Sequence, residues 1–151
     1  MLIIPRWTFC VVVGSGTPWT SRRGVSIIFF ETSAIPTLHV FRPADAAETA
    51  WCWQLALQNA DGPSLMALSR QNLPAIATDA TEQGCARGAY RLKAAEADRK
   101  VILIATGSEV SHALEVAEKL EGEGVGVDVV SMPCTELFDA QDDDYRADIL
   151  P

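Results

Sequence analysis

Arg70 stands directly after the apolar run SLMAL, in the string SRQNLP. If that run is a buried strand, the guanidinium sits at its carboxyl end, where α/β sheets bind ligands. A guanidinium is a rigid fork of N–H donors matched to the oxygens of a phosphate. Two plainer readings stay open: a solvated loop arginine, or one paired with a nearby carboxylate. The string TGSEV at 106–110 offers small residues at a helix start, where backbone N–H groups can hold an anion. It lacks the GxGxxG fingerprint and any P-loop lysine. The preferred reading is therefore a turn at Gly107 with Ser108 as the N-cap. His39 and His112 have no metal-ligand partner at local spacing and read as packing or surface residues. Asp142, Asp143 and Asp144 lack the ligand spacing and glycine of a calcium loop and read as a solvated helix face. Cys10, Cys52, Cys85 and Cys134 form no CxxC or zinc-knuckle pattern, so reduced, unpaired thiols of a cytoplasmic protein are expected.

These residues need elements to hold them. TLHVF is a short strand candidate, ended by Arg42-Pro43. Asp45 then caps a helix, and Glu48 three residues on completes a capping box. The helical pattern of AAETAWCWQLALQN puts Ala47, Ala50, Trp51 and Leu55 on one apolar face before Asp61-Gly62-Pro63 stops it. SLMALS is the next strand, nearly all apolar, as expected of a strand covered on both faces. Residues 71–86 are looser, GAYRLK is a further strand candidate, and AAEADRK is a charged connector. VILIA, the turn TGS, the helix EVSHALEVAEKLEGEG and VDVVS form a βαβ unit with a parallel strand pair. Val110, Ala113, Leu114, Ala117 and Leu120 line one face of that helix, and glycines 122, 124 and 126 end it. LFDAQDDDYRADILP reads as one short acidic helix.

The 151 residues, 48% apolar and 21% charged, suit a globular chain with a real core. A net charge of −8 argues against a nucleic-acid partner, which needs basic surface. It leaves a small anion open, because one placed arginine suffices. The charge is uneven. Residues 1–42 carry four arginines against Glu31 alone, while residues 43–151 carry 8 basic and 19 acidic side chains. FCVVV and VSIIFF are short strand candidates around the turn-rich GSGTPWTSRRG, but neither has a persuasive period. TSRRGVSIIFF resembles a twin-arginine export signal with too short an apolar stretch, and MLIIPRWTFCVVV is broken by Pro5 and Arg6. No membrane partner is expected.

Six strings, FRPAD, DGPS, LSRQNLP, ATGSEV, VVSMP and QDDDYR, resemble the transketolases in order and spacing from about Ala34 to Pro151. The resemblance implies ketol transfer between sugar phosphates by a homodimer that uses thiamine diphosphate and a divalent metal, Mg or Ca. It also implies that Arg70, in SRQN, contacts the substrate's phosphate. In that family a GEDGPTH segment precedes this region, and its histidine position falls on Arg23. No Asp or His occurs in residues 1–33, which are therefore expected to be out-of-frame or foreign sequence.

The expectation is an α/β fold of two incomplete parallel-sheet, Rossmann-like domains with an irregular N-terminal segment. Residues 1–33 are unassigned, 34–95 are the end of a pyrimidine-binding-type domain, and 96–151 are the start of a C-terminal domain. The chain alone is expected to be an inactive, poorly soluble fragment without catalytic, cofactor or metal residues of its own. The alternative is a non-catalytic remnant or an oligomerisation module for a full-length subunit.

Overall fold

The computed structural model describes the backbone of residues 9–14, and residues 35, 37–76 and 81–151. The first sheet contains β1 (Phe9–Gly14), β2 (His39–Phe41) and β3 (Ser64–Ser69), in the order β1-β3-β2. Both pairs are parallel, with Phe9 and His39 each opposite Ser64. Parallel neighbours need a crossover, and α1 (Ala46–Gln58) supplies it between β2 and β3. Phe9–Gly14, within the segment expected to be irregular, is thus a strand of the sheet. The candidate strand VSIIFF and Arg23 lie outside the described residues.

α1 begins as the capping pattern requires: the Asp45 carboxylate accepts the Glu48 N–H at 2.9 Å. Its buried face is a correction. Glu48, Cys52 and Ala56 are buried, whereas Ala50 is exposed and Ala47, Trp51 and Leu55 are only half-buried. The helix is turned about one residue from its apolar stripe, because Glu48 has polar partners inside.

A short helix, α2 (Thr81–Ala86), leads to the second sheet. There β4 (Tyr90–Lys93), β5 (Arg99–Ala105) and β6 (Gly126–Ser131) take the order β4-β6-β5. β5 and β6 are parallel, joined over α3 (Glu109–Gly122), as the βαβ pattern requires. β4 runs antiparallel to β6, so this sheet is mixed. The GAYRLK strand therefore forms, but in the second sheet, although the 34–95 assignment placed it with the first.

Central β6 is buried throughout, and Val127 and Val129 pack with Ala117 of α3. Each of these valines removed from water contributes roughly 1.5–3 kcal/mol. Buried Asp128 interrupts this apolar strand. It accepts the Ala95 N–H at 2.8 Å and lies 2.9 Å from Arg91 and 3.1 Å from Arg99. Burial alone would raise its pKa. The Ala95 N–H and the Arg99 and Arg91 guanidinium groups outweigh that and hold the carboxyl below its usual range. The charged connector is thereby pinned to the sheet.

The acidic tail forms two helices where one was expected, α4 (Thr135–Asp139) and α5 (Asp143–Ile149). Asp142 separates them: its carboxylate accepts the Tyr145 N–H at 2.7 Å and starts a new helix. Tyr145 returns its O–H to Ala89 O at 2.6 Å, with Arg87 over its ring.

The two units share a core. Phe41 and Met66 of the first sheet pack with Cys85, Tyr90 and Cys134. Gly84 lets α2 lie directly on Tyr90, since a Cβ there would sit 2.3 Å from the ring. No helix among the described residues is long and apolar enough to cross a membrane.

Candidate functional site

Beyond β3 the chain turns at once, because Ser69 Oγ accepts the Gln71 N–H at 3.1 Å. Arg70 is left exposed at the carboxyl end of the central strand. Among the described residues it makes no ion pair, so the paired-arginine reading has no partner there. Six residues on, the Ile76 N–H donates to Asp45 Oδ2 at 2.8 Å, which ties the far end of this segment to the start of α1.

Between strand end and helix start lies an open depression of about 240 Å³, lined by Pro43, Asp45, Thr49, Ser69, Gln71 and Leu73 among others. The wall itself carries a carboxylate and no cation. Both oxygens of that carboxylate already accept backbone N–H groups. The depression is therefore poorly suited to an anion, and Arg70 is not among the residues that line it.

The other candidates are placed elsewhere. Gly107 makes the TGS turn with φ +58, but Ser108 gives no side-chain cap. The Gly107 N–H donates to Arg42 O at 2.9 Å, and so does Thr106 Oγ1 at 3.3 Å. That amide therefore holds the two units together and is not offered to an anion. His39 lies edge-on to Phe41, while His112 is exposed on α3 beside Glu115. Cys52, Cys85 and Cys134 are free and buried. Contact with Cys85 and then burial push the Cys52 thiol well up, and burial pushes Cys134 up to about 12. Such thiols are protonated and poor nucleophiles.

A residue read only as a capping partner proves to be a fully buried carboxylate with three hydrogen-bond donors. Glu48 is 0% exposed. Its Oε1 accepts the hydroxyls of Tyr90 at 2.8 Å and Ser131 at 2.6 Å, and its Oε2 accepts the Ala44 N–H at 2.6 Å. The capping box pointed to Glu48, but no local spacing signals Tyr90 or Ser131. Nearby, the Arg42 N–H donates to Pro133 O at 2.8 Å, and Glu136 Oε2 accepts the Val40 N–H at 3.1 Å.

Known proteins share this fold. Residues 30–76 match the transketolase pyrimidine-binding domain, and residues 88–151 match the transketolase-like C-terminal domain. A transketolase of Rhodobacter capsulatus is 52% identical over 119 residues, which are 78% of this chain and 18% of that protein. A Pichia stipitis transketolase solved with sedoheptulose-7-phosphate superposes with a TM-score of 0.73 at 35% identity, over 83% of this chain and 18% of that one. A split-gene transketolase, described as an inactive β4 tetramer, superposes at 0.65 and 26% identity, over 85% of this chain and 39% of that one. The chain thus spans about a fifth of the length of the full-size relatives.

Proposed function

The chain belongs to the transketolase family, and on that premise we propose that it supplies a phosphate-gripping residue, Arg70, to a ketol-transfer site assembled with other polypeptide. The observation that carries this reading is an exposed guanidinium, without an ion-pair partner among the described residues, at the carboxyl end of the central strand of the first unit. A sugar phosphate is the substrate class. The relative solved with sedoheptulose-7-phosphate supports that choice.

In such a site thiamine diphosphate, with its divalent metal, supplies the carbanion chemistry. The described residues contain no group of three or more His, Cys, Asp or Glu side chains able to hold a metal. The described residues thus offer no cluster of their own for the divalent metal. The role of this chain is to bind and orient the anionic tail. By itself the 151-residue chain should not turn over sugar phosphates, because residues 1–33 hold neither Asp nor His where the family has its GEDGPTH segment. The part of residues 1–33 that precedes the family match at residue 30 is proposed to be out-of-frame or foreign sequence. Translating the coding DNA in three frames tests this, and a GEDGPTH-like string in another frame is the expected result.

A second reading, a non-catalytic subunit, is supported by the split-gene relative, which is described as an inactive β4 tetramer. The first reading is tested by titrating the chain and an Arg70→Leu variant with sedoheptulose-7-phosphate. Binding by the parent chain and loss of it in the variant is expected. Equal behaviour of the two would sink the assignment of Arg70. Turnover that appears only on mixing with a polypeptide carrying the diphosphate-binding part of a transketolase would identify a subunit.

A further inference from the structure

We propose that Glu48 is a positioning residue: through its buried carboxylate the second unit sets the course of the chain that carries Arg70. The proposal rests on the reading of Arg70 given above.

A capping box needs only that the glutamate reach the backbone N–H at the helix start, and an exposed side chain does this. Glu48 is instead 0% exposed and accepts three hydrogen bonds. Burying a carboxylate costs several kcal/mol unless its lone pairs are satisfied. Helix capping does not account for that commitment. Two of the donors, Tyr90 on β4 and Ser131 on β6, belong to the second sheet. The third, the Ala44 N–H, belongs to the turn between β2 and α1. Glu48 therefore fixes that turn against the second unit.

The turn carries Asp45, one of whose oxygens accepts the Glu48 N–H while the other accepts the Ile76 N–H. The Ile76 side chain also packs against Ala44, Ala105 and Val110, the last two from the second unit. Residues 70–75 thus form a loop with both ends held. Ser69 ends in β3, and Ile76 is gripped by Asp45 and the second unit. Arg70 is itself exposed, so its reach is set by those ends.

The test compares amide hydrogen exchange at Ile76 with that at Val129 of β6, in the full chain and in Glu48→Gln. A glutamine oxygen can still serve both hydroxyls, but its NH2 would then face the Ala44 N–H donor to donor, which releases the turn without leaving a cavity. Ile76 exchange should rise about tenfold and Val129 exchange stay within about twofold. Affinity for sedoheptulose-7-phosphate should fall about three- to tenfold although Arg70 is intact. If Ile76 and Val129 accelerate together, or neither changes, the proposal is overturned. Should Glu48→Gln not fold, Ser131→Ala and Tyr90→Phe each remove one donor. Both should show the same selectivity in smaller degree, and uniform acceleration in both overturns it as well. The Arg70→Leu titration separates the two ideas. If sugar phosphate binding does not depend on Arg70, the phosphate reading fails, while the exchange ratio still decides whether Glu48 positions the loop.

Discussion

The join between the two units and the mouth beyond β3 share α1 and are built on opposite terms. At the join, Glu48 is sealed from water and every partner donates to it. At the mouth, Arg70, Gln71 and Asn72 are exposed, and one Ser69–Gln71 hydrogen bond shapes the turn. A buried polar group is costly to leave unpaired, so the join tolerates almost no change in its partners. An exposed arginine contributes little to folding and is available for a ligand. If Arg70 binds the ligand as proposed, stability and ligand binding fall on different residues, one inside α1 and one beyond β3.

Substitutions can break this contrast, and the largest effect belongs to the join. Glu48→Ala removes the acceptor shared by the Tyr90 and Ser131 hydroxyls and the Ala44 N–H, and should cost on the order of 3–5 kcal/mol. Urea unfolding of the chain measures it, and a loss below about 1 kcal/mol would mean the join is not organised by this carboxylate. Next comes Gly88→Ala. Gly88 has φ +83, and a Cβ there would lie 2.3 Å from Cys134 O and Phe138 N. A cost of about 3 kcal/mol in the same melts is expected.

Asp128→Asn should cost about 1–2 kcal/mol, a value discounted because Arg99 is well exposed. The pH dependence has a definite sign. The folded carboxyl titrates below its unfolded value, so its stabilisation is present above about pH 4 and is lost as pH falls through the folded pKa. Melting temperatures recorded from pH 6 downward should fall less steeply for the variant than for the parent chain.

The smallest effect on folding is expected at the mouth. Arg70→Leu should change stability by no more than about 0.5 kcal/mol while abolishing sugar phosphate binding. A destabilisation as large as that of Asp128→Asn would erase the contrast and make Arg70 a structural residue.

Much of the framework was readable in advance. The N-cap at Asp45, the strand SLMALS, the βαβ unit and the arginine at a strand end all appear where residue types place them, but the Glu48 half of the capping box does not: that side chain takes the Ala44 N–H in place of the Asp45 N–H. The failures have a common form. Apolar spacing chose the wrong side of α1, since the buried face includes a glutamate that apolar periodicity does not count. The acidic tail was read as one helix, although Asp142 carries its own cap. Ser108 was expected to cap α3, yet it adopts helical angles and gives no side-chain cap. FCVVV showed no clear period, yet Phe9–Gly14 takes a place beside β3.

By itself the sequence determined what depends on residues a few positions apart: where helices start, which runs are apolar enough for buried strands, and that Arg70 follows one of them. Tertiary structure alone decided that Tyr90–Lys93 joins the second sheet and that Glu48 faces inward. The Glu48 partners lie 42 and 83 residues away in the chain. Local propensity carries no information about such partners. A carboxylate is stable in the interior only once the second sheet and the turn before α1 have closed on it with three donors, and that closure is a property of the packed units together.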